Sequence, residues 1–258
     1  MTEGTVHLEL TGGIASVTFD RPAARNALTW GMYQRLRAIC EELRADASVR
    51  VVRFQGAGGE AFVAGTDIAQ FLEFQTAKDG VDYEHRISST MQLLASLPMP
   101  TVAVVQGWCI GGGLAIASTC DFRLCTPSSR FGVPIARTLG NCLAMGNVAA
   151  LVACFGRSRV QRMLMLADLI AAEEAKACGY VLDIVPDDGL EAAAQALCTR
   201  LASLAPVTQQ VSKEALNRLL KHSLPEAEDL VRRAYGSEDF REGVQAFVEK
   251  RPPVWKGR

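Results

Sequence analysis

The chain opens on two β-rich runs, "TVHLEL" at 5–10 and "IASVTF" at 14–19, joined by the three-residue link "TGG". That arrangement predicts a hairpin. After "DRPAARNAL", the residues Met32, Leu36, Ile39 and Cys40 recur at helical spacing and predict one buried face. Val49 to Phe54 predicts a short apolar strand, followed by the glycine-rich loop "QGAGGEAFVAGTD". "TDIAQFLEF" predicts a new helix capped by Thr66 or Asp67. Residues 84–97 predict a helix that stops before "LPMP", and Pro100 hands over to the buried strand "TVAVVQ". This strand runs into "GWCIGGGLAIASTCD" (107–121), where three consecutive glycines open an apolar helix.

Beyond Asp121 the pattern predicts a strand at "FRLCT", a loop at "FGVPIARTLGN" and a helical region to about Leu166. "AAEEAKACG" predicts a helix closed by Gly179, and "YVLDIV" a last strand. From about residue 188 only helices are expected. "SLPE" at 223–226 has capping-box spacing. "SEDFREGVQAFVEKR" places Phe240, Val244, Phe247 and Val248 on one stripe, with Pro252 and Pro253 ending it. Strands alternating with helices, then helices alone, predict an α/β core over 1–190 and an all-helical region over 191–258.

Composition narrows the function classes. The 258 residues, 49% of them hydrophobic, can bury a sizeable core. A net charge of -1 without a basic run argues against nucleic acid or an anionic membrane surface as partner. The eight cysteines form no Cys-x-x-Cys pair and the three histidines are far apart, so no metal site is expected. "MTEGTVHLEL" lacks the features of a signal peptide, so reduced cysteines in a cytoplasmic protein are expected. The most membrane-like window, "VAVVQGWCIGGGLAIAST", is broken by Gln106 and four glycines and reads as strand, turn and helix start.

The glycine triplet presents backbone N–H groups at the positive end of a helix dipole, open to close approach by a ligand oxygen. It lacks the Lys-Ser/Thr of a P-loop and does not match G-x-G-x-x-G, which leaves a dinucleotide-binding oxidoreductase weakly supported. Close helix–strand packing is the simpler explanation for a lone triplet. A second junction, "AFVAGTDI" (61–68), offers another amide, that of Thr66. Two converging amides make an oxyanion hole.

"RPAARNAL", "EAFVAGTDI", "GWCIGGGLAIASTCD", "FGVPIARTLG" and "EGVQAFVEKRPP" run in order across nearly the whole chain. Together they resemble the enoyl-CoA hydratase/isomerase (crotonase) family. The resemblance implies a crotonase-like spiral of ββα turns and a helical C-terminal trimerisation region. It further implies a homotrimer or a hexamer of two trimers, and an acyl-CoA thioester as ligand, with no cofactor beyond the coenzyme A of the substrate. By motif position it assigns the N–H groups of Thr66 and Gly112 to the oxyanion hole. Ala64 would meet the adenine, Arg25 the CoA phosphates and Ala27 the pantetheine. Gly65, Asp67, Ile68, Gly111, Pro134 and Ile135 would line the same site. Phe247 and Lys250 would contact the adenosine part, often from a neighbouring subunit; on pattern alone they read as core packing and a solvated charge.

The chain departs from that family at two positions. Hydratases carry one glutamate where this chain has Ala115 and another where it has Ile135. Neither can ionise, which removes acid/base machinery whose usual contribution is ~10²–10⁴-fold. Arg137 and Asn141 follow in the same loop. Arg137 can bind a carboxylate or stabilise an enolate but cannot serve as base. Asn141 can orient water or polarise a carbonyl, against a reading as turn chemistry after Gly140. Glu84 and His85 could face the acyl pocket, although exposed helix polarity is the favoured reading. Cys109 has no paired base and reads as a buried small residue. The expectation is an enzyme that stabilises a thioester enolate, as an isomerase, decarboxylase, C–C hydrolase or non-standard hydratase. The alternative is an acyl-CoA-binding member without turnover.

Overall fold

The computed structural model describes residues 3–221 and 228–256; the "SLPE" capping box lies outside the described residues. Strands β1 (Thr5–Thr11) and β2 (Ile14–Asp20) form the expected antiparallel hairpin, with Thr5 opposite Asp20 and Thr11 opposite Ile14. Gly12 and Gly13 make the link at φ of 59° and 80°. Positive φ at both positions lets a two-residue turn follow the strand twist. Helix α1 (Trp30–Ala45) buries Met32, Leu36, Ile39 and Cys40 as expected, and Tyr33 with them. The Thr29 hydroxyl caps it by accepting from the Met32 N–H.

From there a unit of strand, short strand and helix repeats. The first turn comprises β3 (Val51–Gly56), β4 (Ala61–Val63) and α2 (Ala77–Ala95). The second comprises β5 (Thr101–Val105), β6 (Trp108–Ile110) and α3 (Gly112–Thr119). The third holds β7 (Phe122–Cys125) and β8 (Arg130–Gly132), then α4 (Ile135–Thr138), α5 (Met145–Phe155) and α6 (Arg157–Met165). Next come β9 (Leu169–Ala171), α7 (Ala172–Ala177) and β10 (Asp183–Ile184). The first strands of the units join a six-stranded sheet in the order β1-β2-β3-β5-β7-β10. The second strands build a separate four-stranded sheet, β4-β6-β8-β9. Each turn therefore steps from one sheet to the other before its helix returns, which is the expected spiral of ββα turns.

Several elements differ from the sequence-based expectation. "TDIAQFLEF" forms a 3₁₀ turn over Ile68–Glu73 rather than an α-helix, and Asp67, not Thr66, caps it by accepting from the Ala69 N–H. Helix α2 begins seven residues before the expected 84, where the Asp79 carboxylate accepts from the Thr76 N–H. The expected loop "FGVPIARTLGN" contains the end of β8 and all of α4. "YVLDIV" contributes only the two-residue β10, while Tyr180 and Val181 are buried in the core.

The C-terminal helices do three different things. Helix α8 (Leu190–Ala202) lays Leu190, Ala194, Cys198 and Leu201 over Val51, Val102, Val104 and Leu124 of the large sheet. Each large apolar side chain so covered contributes roughly 1.5–3 kcal/mol. Helix α9 (Pro206–Lys221) leaves Val207, Val211, Leu216 and Leu219 exposed. Helix α10 (Glu228–Tyr235) returns to α2, and α11 (Glu238–Val248) packs Phe240 against Phe71 of the 3₁₀ turn. The stripe expected on α11 is half right: Phe240 and Val244 are buried, but Phe247 and Val248 are exposed.

Candidate active site

The three glycines at the start of α3 have separate physical reasons. Gly111 lies at φ 52°, the left-handed region that favours glycine. A Cβ on Gly112 would stand 2.4 Å from the Tyr33 hydroxyl, and one on Gly113 would stand 2.1 Å from the carbonyl oxygen of Val63. Close helix–strand packing therefore accounts for Gly113 and leaves Gly111 and Gly112 at a cavity. The second junction sits directly against them, since a Cβ on Gly111 would lie 3.6 Å from the Cα of Gly65. Leu28 pins that junction: its N–H donates to Gly65 and its carbonyl accepts from Asp67. Thr66, held between them, and Gly112, in the first turn of α3, direct their N–H groups to no backbone or side-chain acceptor among the described residues.

"RPAARNAL" supplies the scaffold for this wall. Buried Asn26 donates from Nδ2 to the carbonyls of Ala57 and Ala61, and its Oδ1 accepts from the Arg21 N–H. Arg21, also buried, pairs with the Asp67 carboxylate at 2.8 Å and donates to the Ala27 carbonyl. The Asp67 side chain is thus occupied in holding the junction. Arg21 and Asn26 were not singled out from the sequence; the order of residues in the motif carries no hint of which side chains turn inward.

The cavity between the two junctions has a volume of about 90 Å³. Ala64, Gly65, Thr66, Ile68, Gly111 and Gly112 line one side; Pro134, Ile135, Leu139 and Asn141 line another; Tyr83 and Glu84 of α2 close the third. Phe71 completes an aromatic wall, its ring 5.0 Å from that of Tyr83.

Glu84 overturns the expectation of an exposed polar helix residue. It is only 3% exposed. Its Oε1 accepts from the Tyr235 hydroxyl at 2.7 Å, and its Oε2 from the Ala144 N–H at the start of α5, at 2.9 Å. Asn141 Nδ2 donates to the same Tyr235 hydroxyl at 3.1 Å, while Asn141 Oδ1 is buried without a partner among the described residues. Burial raises the Glu84 carboxyl to about 6, and the Tyr235 and Ala144 donors only partly oppose it. This wall exists because α10 can approach α2 at Gly80, where a Cβ would fall 2.1 Å from the Tyr235 ring. His85, one residue on, is exposed.

Three hydroxyls meet beside the glycine wall. Thr66 Oγ1 lies 2.9 Å from the Tyr33 hydroxyl and 2.9 Å from that of Tyr83. Burial pushes Tyr33 up to about 12 and Tyr83 well above the ordinary phenol range, so both remain protonated donors.

The other expected site residues stand away from the cavity. Arg137 is exposed on α4 and does not line it. Arg25 is exposed, 3.6 Å from Glu60 and 6.0 Å from the Trp108 ring centre. Ala27 is half-buried, while Phe247 and Lys250 are exposed, Lys250 at φ 55°. Ala115 packs against the core, and Cys109 is fully buried with its thiol pushed well above the ordinary range. The cavity thus brings two glycine-bearing backbone junctions and a buried carboxylate to one space.

A family model described as enoyl-CoA hydratase/isomerase matches residues 9–258. A short-chain-enoyl-CoA hydratase from Clostridium acetobutylicum is 32% identical over 255 residues, covering 97% of each chain. The crystal structure of an enoyl-CoA hydratase from Mycobacterium avium subsp. paratuberculosis superimposes with a TM-score of 0.83 at 31% identity, covering 97% of this chain and 98% of that one. A methylmalonyl-CoA decarboxylase in complex with 2-nitronate-propionyl-CoA shares the fold with a TM-score of 0.89 at 23% identity, covering 98% of each chain.

Proposed function

Since the chain belongs to the enoyl-CoA hydratase/isomerase family, we propose that its cavity binds the acyl end of a CoA thioester and transfers a proton at the α-carbon. The N–H groups of Thr66 and Gly112 are the donors for the thioester oxygen, whose charge grows as the α-proton leaves. Two preorganised donors in a water-poor site stabilise such an enolate far more than they would in water. Glu84 is the base. The observation that carries the reading is its position: a buried carboxylate lining the same cavity as both junctions, held near 6 by burial and therefore largely ionised at neutral pH.

Ala115 and Ile135 occupy the places where hydratases of the family carry glutamates, and Ile135 contributes an apolar side chain to the cavity. One carboxylate supports α-proton abstraction and return, as in isomerisation, better than a hydration that divides water activation and proton delivery between two. The CoA moiety extends past Ala64 and Ala27 toward Arg25, with Lys250 and Phe247 supplied at the nucleotide end. The uncovered apolar side chains of α9 provide the contact for a trimer, or a hexamer of two trimers. Incubation with butyryl-CoA in D₂O tests the reading: saturable loss of the α-proton signals is expected. Tight binding of butyryl-CoA without any exchange would leave a binding protein and overturn the proposed proton transfer.

A further inference from the structure

The cavity beside the glycine junctions holds about 90 Å³, well below the roughly 150 Å³ of an apolar cavity that takes up benzene. A larger cavity, about 390 Å³, lies between α1 and α2, where Trp30, Ile87 and Thr90 line it together with exposed Arg37 and Arg86. Tyr83 lines both cavities. Tyr33 stands beside it. Its ring lines the larger cavity, and its hydroxyl presses on Gly112 of the smaller one, where a Cβ would be 2.4 Å away. The two phenol rings therefore form the partition between the cavities.

The partition is tied in place. Thr66 Oγ1 lies 2.9 Å from each phenol oxygen, and the Tyr33 and Tyr83 hydroxyls also bond to each other. Each hydroxyl can donate to the next around this triangle, so the cluster satisfies its own three protons and fixes both rings. The Tyr83 ring is further enclosed by Phe71 at 5.0 Å, Trp30 at 5.5 Å, and Phe74 and Tyr235 at 6.1 Å. Swinging it aside would break the triangle and unpack the aromatic cluster together. An acyl chain that grows toward Tyr83 meets a wall that does not yield.

We propose that Tyr83 is a specificity-determining residue: by closing the reaction cavity off from the larger one, it restricts the substrate to acyl groups of about four carbons. The inference rests on the reading of the smaller cavity as the acyl site and names the substrate class, short-chain acyl-CoA thioesters. In a pocket that cannot stretch, each surplus methylene costs roughly 10–200-fold in kcat/KM. Removing the Tyr83 ring would join the two cavities and let a longer chain lie against Trp30 and Ile87.

The test is a chain-length series, with α-proton exchange in D₂O and binding affinity measured for butyryl-, hexanoyl- and octanoyl-CoA. In the wild type, kcat/KM for octanoyl-CoA should fall at least ~100-fold below that for butyryl-CoA, and affinity should fall in the same order. Tyr83→Ala should raise the octanoyl-to-butyryl ratio by about tenfold or more, a ratio that a general loss of activity leaves unmoved. Tyr83→Phe keeps the ring, and its ratio should stay within about twofold of wild type whatever the lost hydroxyl does to the rates. A wild type that exchanges octanoyl-CoA as readily as butyryl-CoA overturns the proposal before any variant is made. A folded Tyr83→Ala with the wild-type ratio overturns it as well. Exchange from none of the three thioesters would instead overturn the proton transfer of the preceding section, and the affinity series would still decide the chain length.

Discussion

The two walls of the cavity are built on different principles. The glycine wall is made largely of backbone: two strand-to-turn junctions bring Gly65 and Thr66 beside Gly111 and Gly112 at the cavity, and absent Cβ atoms let them approach. The helical wall is made of side chains. Glu84, Tyr235 and Asn141 meet there across 151 residues of sequence, because α10 packs back onto α2 at Gly80. Both walls depend on a close approach at glycine, but the first presents mainly backbone to the cavity, whereas the second presents charge and hydroxyl groups.

Shape should therefore produce the largest loss. Gly113→Ala pushes a methyl into the Val63 carbonyl and should lower stability by about 3 kcal/mol or prevent folding. Gly146→Ala, in open space within α5, should be neutral or stabilising by up to about 1 kcal/mol. Chemical denaturation of both variants checks the contrast, and equal effects would break it.

Charge gives the next effect. Burial raises Glu84 from 4.5 to about 6, so the folded state binds the proton more tightly than the unfolded chain. Its contribution to stability is full below about 4.5 and falls as pH rises through about 6. Glu84→Gln keeps the carbonyl acceptor and removes the charge. The stability difference between variant and wild type should move by about 2 kcal/mol in favour of the variant from pH 4 to pH 8. Stability curves at the two pH values decide it.

The two walls also differed in how far they could be read from the sequence. The glycine wall was legible because its signal is local: glycines beside a strand run, twice, at "AFVAGTDI" and "GWCIGGGLA". Helix α1 was legible for the same reason, since Met32, Leu36, Ile39 and Cys40 repeat within three turns. The second strands β4, β6 and β8 have three residues each, too few to show a period. Glu84 was misjudged because its burial depends on Tyr235, a residue whose partner no spacing reveals. Arg137 stood beside the family motif in sequence but turned to solvent on α4. Neighbourhood along the chain fixes backbone junctions well and side-chain constellations poorly.

Smaller effects sharpen the contrast further. Tyr235→Phe removes the 2.7 Å donor to Glu84 and keeps the ring on Gly80. The pH midpoint of α-proton exchange should rise by roughly one unit, with the fold unaffected. An unmoved midpoint would show that Tyr235 only packs. Lys250→Ala should have the smallest effect, because the ammonium is exposed. A small but measurable loss of CoA-thioester affinity, a few-fold at most, is expected, and none with a pantetheine thioester lacking the nucleotide. Equal CoA affinity in both proteins would remove Lys250 from the site.

The central claim is that the buried carboxylate on the helical wall works against the amides of the glycine wall. The most direct measurement is the rate of α-proton exchange of butyryl-CoA in D₂O from pH 5 to pH 8, for wild type and Glu84→Gln under subsaturating conditions. The wild-type rate should climb through about pH 6 and level off, as Glu84 loses its proton in the free protein. Glu84→Gln should bind butyryl-CoA with similar affinity, exchange ~10²–10⁴-fold more slowly and show no such rise. Exchange that persists in Glu84→Gln at the wild-type rate, with the same pH profile, would contradict the account and place the base elsewhere.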